Sequence, residues 1–215
     1  MKKYELTTET KTVCGITFHR IRAIMSFRDG GGVEIAEGEL GGWVEKESNL
    51  SHDGGAWVYG NAEVYGNARV CGSARVYGNA EVYGNARVYG SAWVYGNAEV
   101  YGNARVYGDA EVYGDAWVCG DAWVSGLKHY MTISPIGSRD DFVTFFRTKS
   151  MEIYVKCGCF KGNIDQFLTA VQRTHGDNEH AKAYRLAADL AKARIDLTPD
   201  EEAEAALERR ATDGD

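Results

Sequence analysis

The sequence predicts a mainly β protein, in which short parallel strands wind into a triangular coil and a small α+β C-terminal domain follows. Three observations predict it. Between residues 56 and 126 the hexad Ala-x-Val-[Tyr/Cys/Ser]-Gly-[Asn/Asp/Ser] occurs twelve times, with the last copy cut short. Glycine is enriched, with 26 Gly against 2 Pro. Beyond residue 126 the repeat stops, and strand-like alternation and helix-like apolar spacing take its place.

Each hexad specifies one flat side of the coil. Its x-Val-Tyr segment alternates as a strand does, with Val facing one side and x and Tyr facing the other. Gly and Asn then turn the chain, because both tolerate left-handed backbone angles, and the small Ala fits inside beside the bend. Three sides make a coil of 18 residues, so the twelve hexads make four coils. Trp43 and Val44 are expected to begin a degenerate earlier coil.

Three further segments flank the coil region. Residues 1–55 predict an irregular β leader that caps it, beginning with two strands joined by a tight turn at Cys14-Gly15. Residues 127–197 predict the α+β domain, with strands in HYMTISPI, DFVTFFRT and MEIYVKCGCF. Residues 198–215 form an acidic tail with seven acids and two arginines, which could start a charged helix.

Two helices are predicted in the C-terminal domain from apolar residues at helical spacing. Asn163 with Gln166 should cap the first helix, and Asp177 or Asn178 the second. The second helix is expected to bury one apolar face, made of Ala183, Leu186, Ala187, Leu190 and Ala191.

Composition narrows the classes of function. The net charge of −7 and the absence of a Lys/Arg cluster disfavour nucleic-acid binding. No stretch has the apolar length of a membrane span, and MKKYELTTET does not read as a signal peptide. Five cysteines, an odd number, favour the reducing cytosol, and Cys71 and Cys119 replace Tyr in the repeat and should face outward.

Folding the variable hexad position into coils produces three different faces. We define the Glu row as Glu63, Glu81 and Glu99, and the Arg row as Arg69, Arg87 and Arg105. The aromatic face consists of Trp57, Tyr59, Tyr77, Trp93, Tyr95 and Tyr113. It should be an exposed surface for a partner or a ring-bearing ligand, unless the leader or the acidic tail covers it.

The two charged rows predict a homotrimer. Like charges stacked ~4.8 Å apart repel by about 0.9 kcal/mol per pair in water, so a complementary partner would convert a cost into a gain. In a threefold ring the Glu row of one chain would meet the Arg row of the next. The alternative is that both rows only reflect the duplication of an 18-residue unit and are exposed to solvent.

The C-terminal domain is the better place for a ligand site. His175 and Asn178 precede a predicted helix N-terminus, which favours anions. Ser138, Arg139 and Arg147 could complete a pocket for an anionic or nucleotide ligand. The alternative is that Arg139 caps a local turn and His175 is a simple surface residue.

A zinc site is a weaker hypothesis for the same region. Cys157 and Cys159 alternate along one strand, and His175 and His180 follow, but the spacing is not that of a standard zinc finger. Buried, inert thiols are favoured instead. No cofactor is expected, and no acid–base pair or nucleophile with its base is identifiable.

The hexad array resembles the left-handed parallel β-helix of hexapeptide-repeat proteins. The resemblance implies a left-handed coil and agrees with a trimer. Many such proteins are acyltransferases with a His general base, but no His lies between His52 and His129 here, so no catalytic residue carries over. The whole chain is also similar to phage- and prophage-encoded hexapeptide-repeat proteins of unassigned function, through IRAIMSF…GELGGWVEKESNLS, the Val-Tyr-Gly-Asn-Ala array and ISPIGSR…FRTK…CGCFKGNIDQF…THGDN.

The function expected from these observations is binding rather than catalysis. A trimeric protein in the host cytosol would act in phage–host interplay, by sequestering a small anionic or nucleotide ligand or by binding a host defence protein. Two alternatives stay open. One is an acyltransferase-like enzyme with its site between subunits, and the other is a purely structural trimerisation stalk.

Overall fold

The structure is a computed structural model that describes residues 1–199. A parallel β-solenoid carries an antiparallel hairpin at its N-terminal end and a four-stranded sheet with two helices at its C-terminal end. The mainly β class with a small α+β C-terminal domain is therefore confirmed. The acidic tail and its possible helix lie outside the described residues from residue 200 onward.

The leader is built from a hairpin and a short ribbon. The backbone of Cys14 and Gly15 has φ of 49° and 82°, as a tight hairpin turn with two left-handed residues requires, which confirms the predicted turn. The strand that follows the ribbon joins the hairpin to the solenoid. These strands are β1 (Tyr4–Val13), β2 (Ile16–Ala23), β3 (Phe27–Arg28), β4 (Glu34–Ile35) and β5 (Leu40–Val44).

The solenoid consists of twelve two-residue strands, one in each hexad. They stack in parallel as three sheets, in the orders β5-β7-β10-β13-β16, β8-β11-β14-β17 and β6-β9-β12-β15. The strands are β6 (Trp57–Val58), β7 (Glu63–Val64), β8 (Arg69–Val70), β9 (Arg75–Val76), β10 (Glu81–Val82), β11 (Arg87–Val88), β12 (Trp93–Val94), β13 (Glu99–Val100), β14 (Arg105–Val106), β15 (Glu111–Val112), β16 (Trp117–Val118) and β17 (Trp123–Val124).

The coil register follows the 18-residue period. Glu81 pairs with Glu63 on one side and Glu99 on the other, so identical hexad positions lie above one another. Trp43 pairs with Glu63, which confirms the degenerate first coil and brings the solenoid to about five turns.

The solenoid core is a column of Val and Ala. Every hexad Val and Ala from Ala56 to Val124 has 0% exposure. At the corners the glycines stack closely. Gly84 has φ of 69°, and a Cβ there would lie 3.0 Å from the Gly102 nitrogen, so only glycine meets both the backbone angle and the spacing.

Aromatic side chains close both ends of this column. At the N-terminal end the rings of Tyr4 and Phe27 meet Trp57 edge-on, at centroid distances of 6.1 and 5.3 Å. At the C-terminal end Tyr130 and Phe146 join the same hydrophobic core. Residues of the leader therefore cover one end of the column, and residues of the C-terminal sheet cover the other.

The C-terminal domain confirms three predicted strands and two predicted helices. The third predicted strand, however, splits at residues 158–159 into a hairpin. Cys119 occupies the outward position of its hexad, next to Tyr101 of the preceding coil, but it is only 3% exposed because this domain covers the last coil. The elements are β18 (Tyr130–Ile136), β19 (Asp141–Arg147), β20 (Ile153–Cys157), β21 (Phe160–Asn163), α1 (Ile164–His175) and α2 (Glu179–Arg194).

Both helices are capped by asparagine. Asn163 Oδ1 accepts from the Gln166 backbone nitrogen at 2.9 Å, and the Asn163 nitrogen donates to Gln166 Oε1 at 3.0 Å, which completes a capping box. Asn178 Oδ1 accepts from the Ala181 nitrogen at 2.9 Å. Both predicted caps are thus confirmed, the second at Asn178.

The predicted buried face of α2 is wrong at two positions. Leu186 and Leu190 are 69% and 52% exposed, whereas the helix packs inward through small residues. Alanine allows α2 to lie close to its neighbours, and this close approach turns the larger leucines outward. The buried residues of α2 are Ala181, Ala187, Ala188 and Ala191.

Candidate functional site

A cavity of about 260 Å³ opens in the C-terminal domain between the β18–β19 turn, the β20–β21 hairpin and the two helices. We call it the C-terminal pocket. Its floor is apolar, formed by Phe160, Phe167, Ala170 and Val171. Its polar side chains are Ser138, Arg139, Asp141, Cys157, Cys159, Thr174, His175 and Tyr184.

The floor is rigid because its aromatic rings pack against one another. Phe167 is 3% exposed, and its ring meets Phe145 and Tyr184 edge-on at 5.8 and 5.5 Å. Phe160 lies 5.5 Å from the same ring. The capping box starts α1 one turn before Phe167, so the local sequence fixes the position of the floor.

Tyr184 and Cys157 form a neutral polar pair in the pocket wall. The thiol of Cys157 donates to the Tyr184 hydroxyl at 3.7 Å. Burial raises the pKa of the Cys157 thiol, and burial followed by the contact with Cys157 raises the pKa of Tyr184. Both groups are therefore neutral at pH 7, and the thiol lacks the thiolate character of a catalytic nucleophile.

Arg139 carries the positive charge of the pocket. Its side chain is exposed, and within residues 1–199 its guanidinium is engaged by neither a hydrogen bond nor an ion pair. Asp141 supplies an opposite charge on the same rim, and its carboxylate accepts from the Phe142 nitrogen at 2.9 Å. The alternative that Arg139 caps a local turn is not what the structure shows.

His175 lies at the C-terminal end of α1 with its ring against the pocket wall. Its ring centroid is 5.8 Å from that of Tyr184 and 5.8 Å from that of His180. The residue is half-buried, so it is part of the pocket lining and not a simple surface residue.

The structure brings together three of the five predicted ligand-binding residues, namely Ser138, Arg139 and His175. The other two, Arg147 and Asn178, do not line this pocket. Arg147 has 0% exposure, and it donates from Nε to the Trp123 carbonyl at 3.1 Å and from Nη1 to the Thr198 carbonyl at 2.9 Å. Arg147 therefore connects the C-terminal domain to the last coil of the solenoid. Asn178 lies outside the pocket, and its side-chain oxygen is occupied as the helix cap.

The candidate zinc ligands do not form a metal site. Across residues 1–199 no three His, Cys, Asp or Glu side chains come together in a way that could hold a metal ion. Cys157 is half-buried beside Tyr184, while Cys159 is exposed in the β20–β21 turn. The prediction of a buried thiol is wrong for Cys159, because the chain turns between the two residues.

Sequence reasoning missed Tyr184 and Asp141 as pocket residues. One signal could have pointed to the pocket wall. Gly137 has φ of 78°, and a Cβ on it would lie 1.9 Å from the Tyr184 hydroxyl. Glycine is therefore required where β18 turns beside α2, but its contact with a tyrosine 47 positions later is not visible in the sequence.

The carboxylates of the Glu row are stabilised by hydrogen bonds and an ion pair within their own chain. The Tyr65 hydroxyl donates to Glu81 at 3.0 Å and the Tyr83 hydroxyl donates to Glu99 at 2.8 Å. Glu63 forms an ion pair of 2.7 Å with Lys11 of the leader hairpin. Burial, with added repulsion from the neighbouring glutamates, raises the pKa of Glu81.

The Arg row is different. Arg69 and Arg87 are exposed, and the Arg105 guanidinium lies 4.7 Å from the centre of the Trp123 ring. In the part of the chain that the structure describes, no carboxylate forms an ion pair with any of the three arginines. Within residues 1–199, the Arg row is therefore a stack of positive charges that no carboxylate neutralises by an ion pair.

The aromatic face is covered at its N-terminal end. Trp57 has 0% exposure beneath the leader, so at this end the alternative applies in which the leader covers the face. The Tyr59 hydroxyl donates to Asp29 of the leader, and the same Asp29 carboxylate pairs with Arg75 at 3.0 Å. The open part of the face lies further along, where the rings of Tyr77, Tyr95 and Tyr113 stack at 4.7 and 5.2 Å and Trp93 lies half-buried beside them.

Comparison with known families finds one repeat described as the YdcK beta-solenoid repeat. It matches residues 62–78, 80–96 and 98–111, which are consecutive coils of the solenoid. The chain is a repeat β-solenoid protein. A search of curated proteins finds no match to it. Neither of the two α-helices of residues 1–199, α1 and α2, combines the length and hydropathy needed to cross a membrane.

Proposed function

We propose that this β-solenoid protein binds a small anionic ligand with a ring or other apolar body in the C-terminal pocket. The observation that carries the proposal is the guanidinium of Arg139, which has no described partner, at the rim of a rigid apolar floor. An unpaired arginine beside aromatic rings is suited to a phosphate or carboxylate attached to a planar group.

The size and polarity of the cavity favour a ligand with a single ring system. Its volume of about 260 Å³ is just below the range of about 300–1,000 Å³ of small-molecule sites, which enclose their ligands mainly with apolar side chains and a few polar groups. Phe160 and Phe167 would contact the ring. Arg139 and Ser138 would hold the anion, and Asp141 would accept from a hydroxyl or amine of the ligand.

Binding is favoured over catalysis by the protonation states of the pocket. The raised pKa values of Cys157 and Tyr184 keep both groups neutral and remove the obvious nucleophile. Sequestration of a nucleotide-like anion in phage–host interplay is the biological form of the proposal, supported by the resemblance of the whole chain to phage-encoded proteins. The homotrimer predicted from the two charged rows is separate from this proposal, which needs only the C-terminal pocket.

Native mass spectrometry of the full-length protein, purified gently from a nucleotide-rich lysate, tests the proposal. The wild-type protein should retain an anionic ligand of nucleotide or comparable size. Arg139→Ala should lose it, because a hydrogen-bonded ionic contact of about 2 kcal/mol is worth about 30-fold in affinity. Arg28→Ala, an exposed arginine in the leader, is the matched control and should retain the ligand.

Three outcomes contradict the proposal. Equal retention by Arg139→Ala would place the ligand elsewhere. A coenzyme A adduct together with acyl transfer would favour the enzyme alternative. Absence of any small ligand from the wild-type protein, when the lysate contains nucleotides, would favour a structural or protein-binding module.

A further inference from the structure

We propose that the Arg row is the docking surface for the acidic C-terminal segment of the same chain, residues 200–215. The acidic side chains of the segment would neutralise the arginines of β8, β11 and β14. Four features support this assignment: the point at which the described chain ends, the charge of the two surfaces, the reach of the segment, and the contrast with the Glu row.

The described chain ends beside the Arg row. Trp123 pairs in register with Arg105, so it occupies the next position of the same column. The buried Arg147 donates both to the Trp123 carbonyl at 3.1 Å and to the Thr198 carbonyl at 2.9 Å. One side chain thus holds residue 198 at the C-terminal end of the row.

The charges of the segment and the surface are opposite. The three arginines occupy equivalent register positions in adjacent strands, Arg69 beside Arg87 and Arg87 beside Arg105. Lys149 adds a fourth cation, 5.4 Å from the centre of the Trp123 ring. Between residues 198 and 215 the sequence carries seven acids and two arginines, so this part of the chain has a net charge of −5.

The segment is long enough to cover the row. Three strand spacings of ~4.8 Å separate Trp123 from Arg69, a distance of about 14 Å. A chain of 16 residues spans up to about 50 Å when extended, so it can pass the whole row even with several turns.

A second copy of the chain is the less suitable occupant. Its Glu row already receives the hydroxyls of Tyr65 and Tyr83 and the ammonium of Lys11, so it gains less from meeting arginines. The acidic segment is attached to the surface it would bind, and tethering gives an effective concentration of the order of millimolar. At micromolar protein the attached segment therefore has the advantage.

Arginine modification by phenylglyoxal, followed by peptide mass spectrometry, tests the proposal on the full-length chain. The comparison is with a full-length variant that carries Glu201→Gln, Glu202→Gln, Glu204→Gln and Glu208→Gln. Arg69 and Arg87 should react about fivefold more slowly in the wild-type protein, which corresponds to a segment docked about four-fifths of the time. In 1 M salt, where the Debye length is about 3 Å, the difference should vanish.

Exposed arginines elsewhere are the internal control. Arg28 in the leader and Arg173 on α1 should react equally in both proteins. Both samples are compared at a dilution where light scattering gives them the same mass. Equal rates at Arg87 in the two proteins would overturn the proposal. Protection that is independent of the glutamate substitutions and disappears on dilution would overturn it too, in favour of the Glu row of a second copy.

Discussion

The solenoid and the C-terminal domain differ in how far apart in sequence the contacting residues lie. In the solenoid each residue meets the same hexad position 18 residues away, as in the amide ladder from Asn67 to Asn85 at 3.3 Å. In the C-terminal pocket, residues from two turns and two helices, between Ser138 and Tyr184, converge on one cavity. A repeat therefore gives a regular scaffold, whereas the non-repetitive C-terminal domain provides a site that occurs once.

The largest expected effect lies at the junction of the two regions. Arg147→Ala should lower the free energy of unfolding by about 3–5 kcal/mol, because it removes a buried guanidinium and leaves the Trp123 and Thr198 carbonyls without this donor. Denaturant unfolding of the full chain measures it. Arg173→Ala, an exposed control, should cost less than about 0.5 kcal/mol. Equal stability of the two variants would show that the domains do not depend on this contact.

Substitutions at the stacked corner glycines of the solenoid should have a smaller effect on stability. In Gly84→Ala the new Cβ would lie 3.0 Å from the Gly102 nitrogen, on a residue whose φ is 69°. The substitution should lower the free energy of unfolding by about 2–3 kcal/mol. Gly114→Ala is the matched control, because its φ is 68° but nothing lies within 4 Å of its Cβ. It should cost only about 1 kcal/mol. Thermal unfolding compares the two, and equal losses would mean that stacking adds nothing to the backbone strain.

A substitution in the wall of the C-terminal pocket should change ligand affinity more than it changes protein stability. Gly137→Ala places a Cβ 1.9 Å from the Tyr184 hydroxyl, so the tyrosine must move and the cavity must change shape. We expect about tenfold weaker ligand binding, equivalent to about 1.4 kcal/mol. Gly176→Ala, whose Cβ has open space around it at a φ of 57° and which does not line the pocket, controls for backbone strain in the same domain. Binding by Gly137→Ala at wild-type strength would argue against Tyr184 as a pocket wall.

The smallest effect concerns the Glu row and depends on pH. In the folded protein the pKa of Glu81 is raised above 4.5, the ordinary value that applies to the unfolded chain. At pH values between the unfolded-state pKa and the folded-state pKa, the folded protein therefore binds more protons than the unfolded chain. The stability contribution of this group is therefore present at low pH and is lost as pH rises through the window. Glu81→Gln should be more stable than wild type by about 0.5 kcal/mol at pH 7, after screening.

Below pH 4 the wild-type protein and Glu81→Gln should have the same stability, since the carboxyl is then protonated and resembles the amide. Denaturant midpoints at about pH 3 and at pH 7 give the comparison. A variant that is less stable at pH 7 would show that the charged Glu81 stabilises the row instead.

The sequence predicted the solenoid almost completely, because Ala, Val and Gly each have one role in every hexad. It did not predict that Tyr65 and Tyr83 donate to the glutamates of the next coil, since these contacts cross between coils. In the C-terminal domain, strands, helices and caps were predictable from local patterns. Which polar residues share the pocket was not, because the contacts that bury Arg147 are made to Trp123 and Thr198, 24 and 51 positions away in the sequence.

Ligand binding in the C-terminal pocket is the central claim, and calorimetric titration of the full-length protein with a set of nucleoside 5′-monophosphates tests it most directly. At least one member should bind the wild-type protein, and its affinity should fall about 30-fold in Arg139→Ala and stay unchanged in Arg28→Ala. Heat of binding that is the same in wild type and Arg139→Ala, or no binding of any member to the wild-type protein, would contradict the account.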